Sequence, residues 1–269
     1  MMKLRVFQAF GIILLLLVGG WLKAGEYQTL TTSEIDERLS QKWQEYMQSE
    51  AFELRVEEVI IQFIEKQDQA RINQQQAQEA RLKNVSAVDS KTDFIRGESS
   101  AEFSLIEYSD FECPFCKRFH GTAMQFIEKN PEVNWVYRHF PLSFHNPGAQ
   151  KEAEASECAG EFGGNDAFWQ YTDLIYQRTR SNGQGFPLEK LGPLATELGL
   201  DRKQFDNCLN SERFKQKVLL QMANGQAGGI TGTPGNFIRH NPSGSTIAIH
   251  GAQPLSALQQ ALNILKQRL

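Results

Sequence analysis

The sequence predicts an α/β fold, and three observations carry that reading. Between Phe103 and Phe140 a strand pattern, a helix pattern and a second strand pattern succeed one another. A long run of helical signals follows, from Pro147 to Gly229. Two short strands around a turn cluster and a last amphipathic helix then close the chain. Strand, helix, strand in so short a span is a βαβ unit, with parallel strands and a right-handed crossover.

Composition sets the outer limits. The chain has 269 residues, of which 41% are hydrophobic and 10% aromatic. That excludes a wholly disordered chain, a collagen and a multi-span membrane protein. Length allows one or two domains. With 28 basic and 32 acidic residues the net charge is −4, which argues against a dedicated nucleic-acid binder. The four cysteines are Cys113, Cys116, Cys158 and Cys208, too few for a small disulfide-stapled scaffold. Any cysteine chemistry must come from particular pairs.

The elements follow in chain order. Lys3 and Arg5 precede an uncharged stretch from Val6 to Leu22, and Lys23 follows it. The stretch lies between the length of a secretory h-region and that of a spanning helix. Residues 1–24 are therefore read as a signal peptide or a membrane anchor. Either places the rest of the chain outside the cytosol, periplasmic or otherwise extracytoplasmic, soluble after cleavage or tethered by one helix. Export makes disulfides chemically plausible.

Residues 25–92 read as a helical N-terminal segment and linker. Ile35, Leu39, Trp43 and Tyr46 form one apolar stripe, and Phe52, Val56, Val59 and Phe63 another. Thr32 or Ser33 is the expected N-cap. The stripes fit either a helical layer packed on its own domain or an arm for a homo-oligomer. From Gln74 to Lys91 the chain is rich in Gln, Ala and Ser, as in a helical or flexible linker.

Residues 93–269 hold the α/β unit. Phe103–Tyr108 and Val133–Phe140 are the two strands, and the helix between them opens at Pro114 and stops before Pro131. The helical signals at about 147–229 read as an insertion, broken at Gly163-Gly164, Ser181–Gly185 and Gly199, with Asp201 and Ser211 as N-caps. Asn236–Arg239 and Thr246–Ile249 form a hairpin around Asn241–Gly244. Pro254 starts the last helix, with Leu255, Leu258, Leu262 and Leu265 on one face.

The chemistry centres on Cys113-Pro-Phe-Cys116. A C-x-x-C that ends a strand and opens a helix is a redox motif rather than a chance tetrapeptide. At a helix N-terminus the unpaired N–H groups and the macrodipole favour a Cys113 thiolate, the attacking species. Cys116, one turn further in, can resolve a mixed disulfide formed at Cys113. Pro114 in the first turn sacrifices no hydrogen bond, and Phe115 offers no polar donor, so backbone groups are expected to stabilise the thiolate. Two other readings stay open: a structural disulfide, and a metal site of Cys113, Cys116 and His120, as in a copper chaperone. A zinc finger would need a second ligand pair, and no such spacing is present.

The order strand, C-x-x-C helix, strand, helical insertion, Thr-Pro, hairpin, helix resembles the DsbA-like, thioredoxin-fold thiol:disulfide oxidoreductases. The likeness covers about Asp93 to Leu269 and rests on Phe111–Lys117, Gly232-Thr233-Pro234 and His250–Pro254. It implies a thioredoxin-like fold with an inserted helical subdomain, preceded by the N-terminal helical segment. It implies that Pro234 is cis and faces the C-x-x-C, with Thr233 contacting substrate backbone; an ordinary trans turn is the alternative. It also implies that Glu107, six residues before Cys113, is a buried acid that relays a proton as Cys116 ionises; a solvent-facing strand glutamate is the alternative. The resemblance implies cysteine-containing substrate proteins, a membrane or soluble redox partner, and no cofactor. Oxidising members often carry His where this chain has Phe115, so a less oxidising potential is expected.

Cys158 and Cys208 both fall in the helical insertion, 50 positions apart. In an exported protein a structural disulfide between them is the default, with two buried thiols as the alternative. His139, His145, His240 and His250 are scattered and read as surface or loop histidines. Phe168, Trp169 and Tyr171 read as insertion core.

Overall fold

The computed structural model describes residues 31–269. The expected signal or anchor at 1–24 lies outside them. Among the described residues no helix is long and apolar enough to cross a membrane. The chain divides into two compact units between Asp68 and Gln69.

In the first unit, helix α1 (Thr32–Met47) is capped by Thr31. Thr31 Oγ1 accepts from Glu34 N while the Glu34 carboxylate accepts from Thr31 N at 2.8 Å, a reciprocal capping box. The cap is therefore Thr31 rather than the expected Thr32 or Ser33. The box settles on Thr31 because only there does a glutamate stand three residues on; Thr32 would face Ile35, and Ser33 the shorter Asp36. Helix α2 (Glu50–Leu82) begins after Ser49 and continues past the unit boundary. Ile35, Leu39, Trp43, Tyr46, Val56, Val59 and Phe63 are all exposed.

The second unit is built on a five-stranded sheet: β1 (Ile95–Arg96), β2 (Phe103–Ser109), β3 (Val133–His139), β4 (Gly235–His240) and β5 (Thr246–His250), in the order β1-β3-β2-β4-β5. β2 and β3 are parallel and joined through helix α3 (Pro114–Lys129), the expected βαβ unit. The other pairs are antiparallel, β4 and β5 forming the expected hairpin. Every residue of β2 and β3 is buried, as two covered sheet faces require. One face packs Ile106, Tyr108, Val136 and Phe237 with Leu82 at the end of α2 and Val85 in the turn that follows it. The other packs Leu105, Trp135 and Tyr137 under α3 (Phe119, Phe126), helix α8 (Leu255–Gln267; Leu258, Leu262, Leu265) and the insertion.

The insertion comprises helices α4 (Gly148–Arg178), α5 (Leu191–Glu197), α6 (Arg202–Asn210) and α7 (Lys215–Ala227). α4 bends at Gly164, whose φ of 71° and ψ of −164° suit a residue without Cβ. Phe168, Trp169 and Tyr171 are buried in the core, as expected. Cys158 in α4 and Cys208 in α6 form a disulfide with Cα atoms 6.0 Å apart. Asp201 caps α6 by accepting from Gln204 N at 2.7 Å. Ser211 does not cap α7. Its hydroxyl turns back to the Cys208 carbonyl at 2.8 Å and closes α6, so α7 starts only after Phe214.

Candidate active site

β2 runs out at Ser109, and a tight loop from Asp110 delivers Cys113 to the N-cap of α3, with extended φ and ψ of −80° and 120°. Pro114 follows in the first turn, where no intrahelical bond is lost. Both thiols are free and buried, Cys113 with 4% of its surface exposed and Cys116 with none. Phe115 between them stands out, 54% exposed, with the Arg118 guanidinium 5.2 Å from its ring centroid.

Three groups of neighbours act on Cys113. The Cys116 thiol bonds to it, the Thr233 hydroxyl lies beside it with no other partner, and the backbone N–H groups of Cys116 and Phe115 point at it. Together they outweigh burial and bring the Cys113 thiol down from an ordinary 9.0 to about 6. The expectation that backbone groups would dominate is corrected: the Cys116 thiol contributes most. Cys116 is pushed the other way, well up, by burial first and then by its bond to Cys113 and the charges of Cys113 and Glu107.

The Thr233–Pro234 peptide is cis, as the resemblance implied. It precedes β4 and sets the Thr233 carbonyl 3.5 Å from Cys113 Sγ. The Thr233 main chain therefore lies alongside the sulfur.

Glu107 lies in the middle of β2 with no exposed surface, so the solvent-facing alternative falls. Ser109 donates to its Oε1 at 2.6 Å and Trp135 Nε1 to its Oε2 at 3.0 Å. Burial outweighs both bonds and raises its carboxyl from 4.5 to about 8.

His120 does not join the two cysteines. Its Nε2 is bonded to Asp173 at 2.7 Å, an aspartate that also pairs with Arg96. Among the described residues no group of three or more His, Cys, Asp and Glu is placed to hold a metal ion. His139 and His145, read as surface or loop residues, are instead buried. Each is held by a carboxylate from a distant part of the chain: His139 Nε2 by Glu157 at 3.2 Å, His145 Nδ1 by Asp110 at 2.8 Å.

Sequence reasoning missed a second set of groups around the loop. Glu112, next to Cys113, is 2% exposed. Its carboxylate accepts from Gly183 N at 2.9 Å and Gly185 N at 3.1 Å, and its carbonyl accepts from Asn182 N at 2.7 Å. This ties the loop after α4 to the residue before the first cysteine. Gly185 must lack a side chain, because a Cβ there would overlap the Glu112 carboxyl. Lys117 Nζ adds a bond to the Thr179 carbonyl at 2.7 Å. One local signal existed: the loop Ser181–Gly185 was legible as a break, but its partner was not.

A family model described as Thioredoxin matches residues 89–262. The crystal structure of DsbA2 from Pseudomonas aeruginosa is 31% identical, with a TM-score of 0.58, covering 64% of this chain and 93% of that one. BcfH from Salmonella enterica Typhimurium shares the fold at 17% identity with a TM-score of 0.63, covering 87% of this chain and 97% of that one. The Na(+)/H(+) antiporter NhaA 1 of Salinispora arenicola is 32% identical over 178 residues, 65% of this chain and 25% of that protein. The chain thus spans about a quarter of the length of the curated relatives it matches. With its C-x-x-C at the head of α3, its cis Thr-Pro opposite and its inserted helices, the chain belongs to the thioredoxin family and is DsbA-like within it.

Proposed function

We propose that the chain is an exported protein thiol:disulfide oxidoreductase that exchanges a Cys113–Cys116 disulfide with cysteines of substrate proteins. The observation that carries this is the split between the two thiols. Cys113 sits low, at about 6, on the accessible side, and Cys116 is held high beneath it. At neutral pH that gives one ready nucleophile and one reserve proton donor.

In the oxidising direction a substrate thiolate attacks Cys113 Sγ of the disulfide. The Cys113–Cys116 bond breaks and Cys116 leaves with the electron pair, taking up a proton. A second substrate thiolate then attacks the substrate sulfur of the mixed disulfide, and Cys113 leaves as a stabilised thiolate. The substrate gains a disulfide and loses two electrons; the enzyme gains them. A redox partner reoxidises the pair by the reverse exchange. In the isomerising direction the reduced enzyme starts the cycle, and Cys116 frees the substrate if rearrangement stalls.

Thr233 and Pro234 are the proposed docking edge, where an extended substrate segment lays its backbone alongside Thr233 in the manner of an added strand. Glu107 is the proposed proton partner of Cys116, and Cys158–Cys208 the structural staple. The exposed stripes on α1 and α2 support a homo-oligomer formed through the N-terminal helices. Several active sites on one particle favour proofreading of wrong disulfides. The test pairs molar mass by light scattering with rescue of scrambled ribonuclease. An oligomer that unscrambles, and loses the ability in Cys113→Ser, is expected. A protein whose exchange survives Cys113→Ser overturns the reading, and a monomer unable to unscramble removes isomerisation from it.

A further inference from the structure

Three consecutive residues in the loop after α4 are left-handed: Ser181 at φ 62°, Asn182 at 57° and Gly183 at 73°. Only the glycine takes that conformation without cost, because Ser181 and Asn182 carry a Cβ. Such a strap has to be held from outside. Two glutamates hold four of its amides. Asn182 N donates to the Glu112 carbonyl at 2.7 Å, Gly183 N and Gly185 N donate to Glu112 Oε2, and Phe186 N donates to Glu152 Oε1 at 3.0 Å. The consecutive amides of Gly185 and Phe186 are thus divided between the two carboxyls.

α4 brings those carboxyls together. A Cβ on Gly148 would stand 2.7 Å from Glu112 Oε1, so that oxygen lies against the first turn of α4. Glu152 is four residues on, on the same side of the helix. It has no exposed surface, and its Oε2 is buried without a hydrogen-bond donor. A carboxylate oxygen buried in that way has lost its water and gained nothing, whereas a carboxylic acid has a proton to give. Glu112 uses Oε2 for the strap amides, which leaves Oε1 to receive that proton. Burial first, and then the charge of Glu112, raises the Glu152 carboxyl to about 8, in keeping with the acid form.

The titratable groups facing the pair come from several elements. They are Asp110 from the loop after β2, His145 from the turn Ser143–His145 after β3, and Tyr171 from further along α4, which also feels Asp206 of α6. His145 Nδ1 is committed to Asp110 at 2.8 Å, and Tyr171 OH to the Leu191 carbonyl at 2.8 Å. Lys151, beside Glu152 in sequence, turns away to Glu154 and Glu212. Among the described residues neither Glu112 nor Glu152 has a cation in an ion pair, so a second negative charge there is not offset.

We propose that Glu112 and Glu152 are positioning residues that act as one clasp: the proton they share closes the strap Ser181–Phe186 against the loop carrying Cys113, and its release to water lets the strap open. The consequence for Cys113 rests on the thiol-exchange reading above. Glu112 is the residue before Cys113, and Lys117 in the first turn of α3 bonds to the Thr179 carbonyl at the root of the strap at 2.7 Å. A closed strap therefore braces the nucleophile from both sides along the chain, and an open one widens the slot at the sulfur. An acid raised in the closed form holds the strap tightest below its ordinary 4.5; opening grows as pH rises toward about 8 and then levels.

The test is hydrogen exchange read by mass spectrometry on the full chain, with each rate divided by its intrinsic value. In the parent the protection of the Gly183, Gly185 and Phe186 amides falls by up to about tenfold per pH unit between about pH 5 and 8, the limit for one proton, and is flat above. In Glu152→Gln the side-chain amide supplies the donor and cannot ionise, so protection keeps the parent's acid value throughout. Glu112→Gln removes the like charge, so the fall levels off at a lower pH than in the parent. In parallel, reduced Cys113 is labelled with a polyethylene-glycol maleimide and with iodoacetamide. Both react with the thiolate, so the ratio of their rates cancels its ionisation and reads access. That ratio climbs with pH along the slope of the strap in the parent and stays flat in Glu152→Gln. An unchanged slope in Glu152→Gln, a Glu112→Gln profile identical to the parent's, or a flat ratio while the strap opens overturns the proposal. Exchange with scrambled ribonuclease that survives Cys113→Ser, with the strap's slope intact, overturns the thiol-exchange reading instead and leaves the clasp standing.

Discussion

Titration of the reduced protein through the Cys113 transition tests the core of the site. The thiol stands at about 6 against an ordinary 9.0. At pH 7 about nine-tenths of Cys113 is then thiolate, where an unperturbed thiol would be about 1% ionised. The gain in ionised fraction is about 90-fold, while intrinsic nucleophilicity falls by about 16- to 30-fold over that interval. The net advantage at pH 7 is only about three- to sixfold, so a single rate is a weak test. The midpoint is the strong one. Iodoacetamide labelling of Cys113 from pH 4 to 10, read by peptide mass mapping, should give a midpoint near 6. Cys116 should stay unlabelled across that window, because burial and the Cys113 charge hold it well up. Thr233→Val removes a hydroxyl that has no other partner and should move the midpoint upward. A thiol lowered in the folded state stabilises the reduced fold, fully above its ordinary value, and that stabilisation is lost as pH falls through about 6. A Cys113 midpoint above 8, or one indifferent to Thr233→Val, would refute the reasoning.

Three further outcomes are expected. Replacing Cys158 and Cys208 together by serine releases a loop with a sequence separation of 50 and should cost about 4 kcal/mol on the chain-entropy account, read in urea melts, with the Cys113 midpoint unmoved. Gly185→Ala forces the Glu112 carboxyl off the Gly183 and Gly185 amides and should cost about 2–4 kcal/mol in the same melts; a neutral effect would mean the loop relaxes freely. Glu107, raised to about 8 by burial, destabilises the fold progressively as pH rises from its ordinary 4.5 through 8. Glu107→Gln should therefore be more stable than the parent at pH 9, by at most about 5 kcal/mol, and no more stable at pH 4.

Local motifs made much of this legible in the sequence. Cys113 and Cys116 announce themselves because the strand end, Pro114 and the helix start lie within a few residues. The hairpin, α8 and the bend at Gly164 are likewise written in turn residues and periodicity. What stayed hidden depends on partners far along the chain. Glu112 looks like a surface acid until the amides of Gly183 and Gly185, some 70 positions on, are folded against it. His139 and His145 looked solvent-bound because Glu157 and Asp110 approach them only in three dimensions. Ser109 reads as an ordinary strand serine; the nearby glutamate two residues back was the one available hint. Even the caps show the difference. Thr31 could be found from Glu34 by counting, whereas Ser211 serves α6 and not α7 for want of any local rule that separates the two.

Cys113 shows only 4% of its surface, and the Thr233 main chain runs beside it. A sulfur set so deep is out of reach for a cysteine on a rounded, finished protein. It admits a single strand laid flat, which a chain offers while still loose and withdraws once its core closes. On the proposed function, such a slot would sort clients by their progress in folding rather than by the letters around their cysteines. Exchange would thereby be confined to an interval in each client's life, with the shape of the slot as the clock.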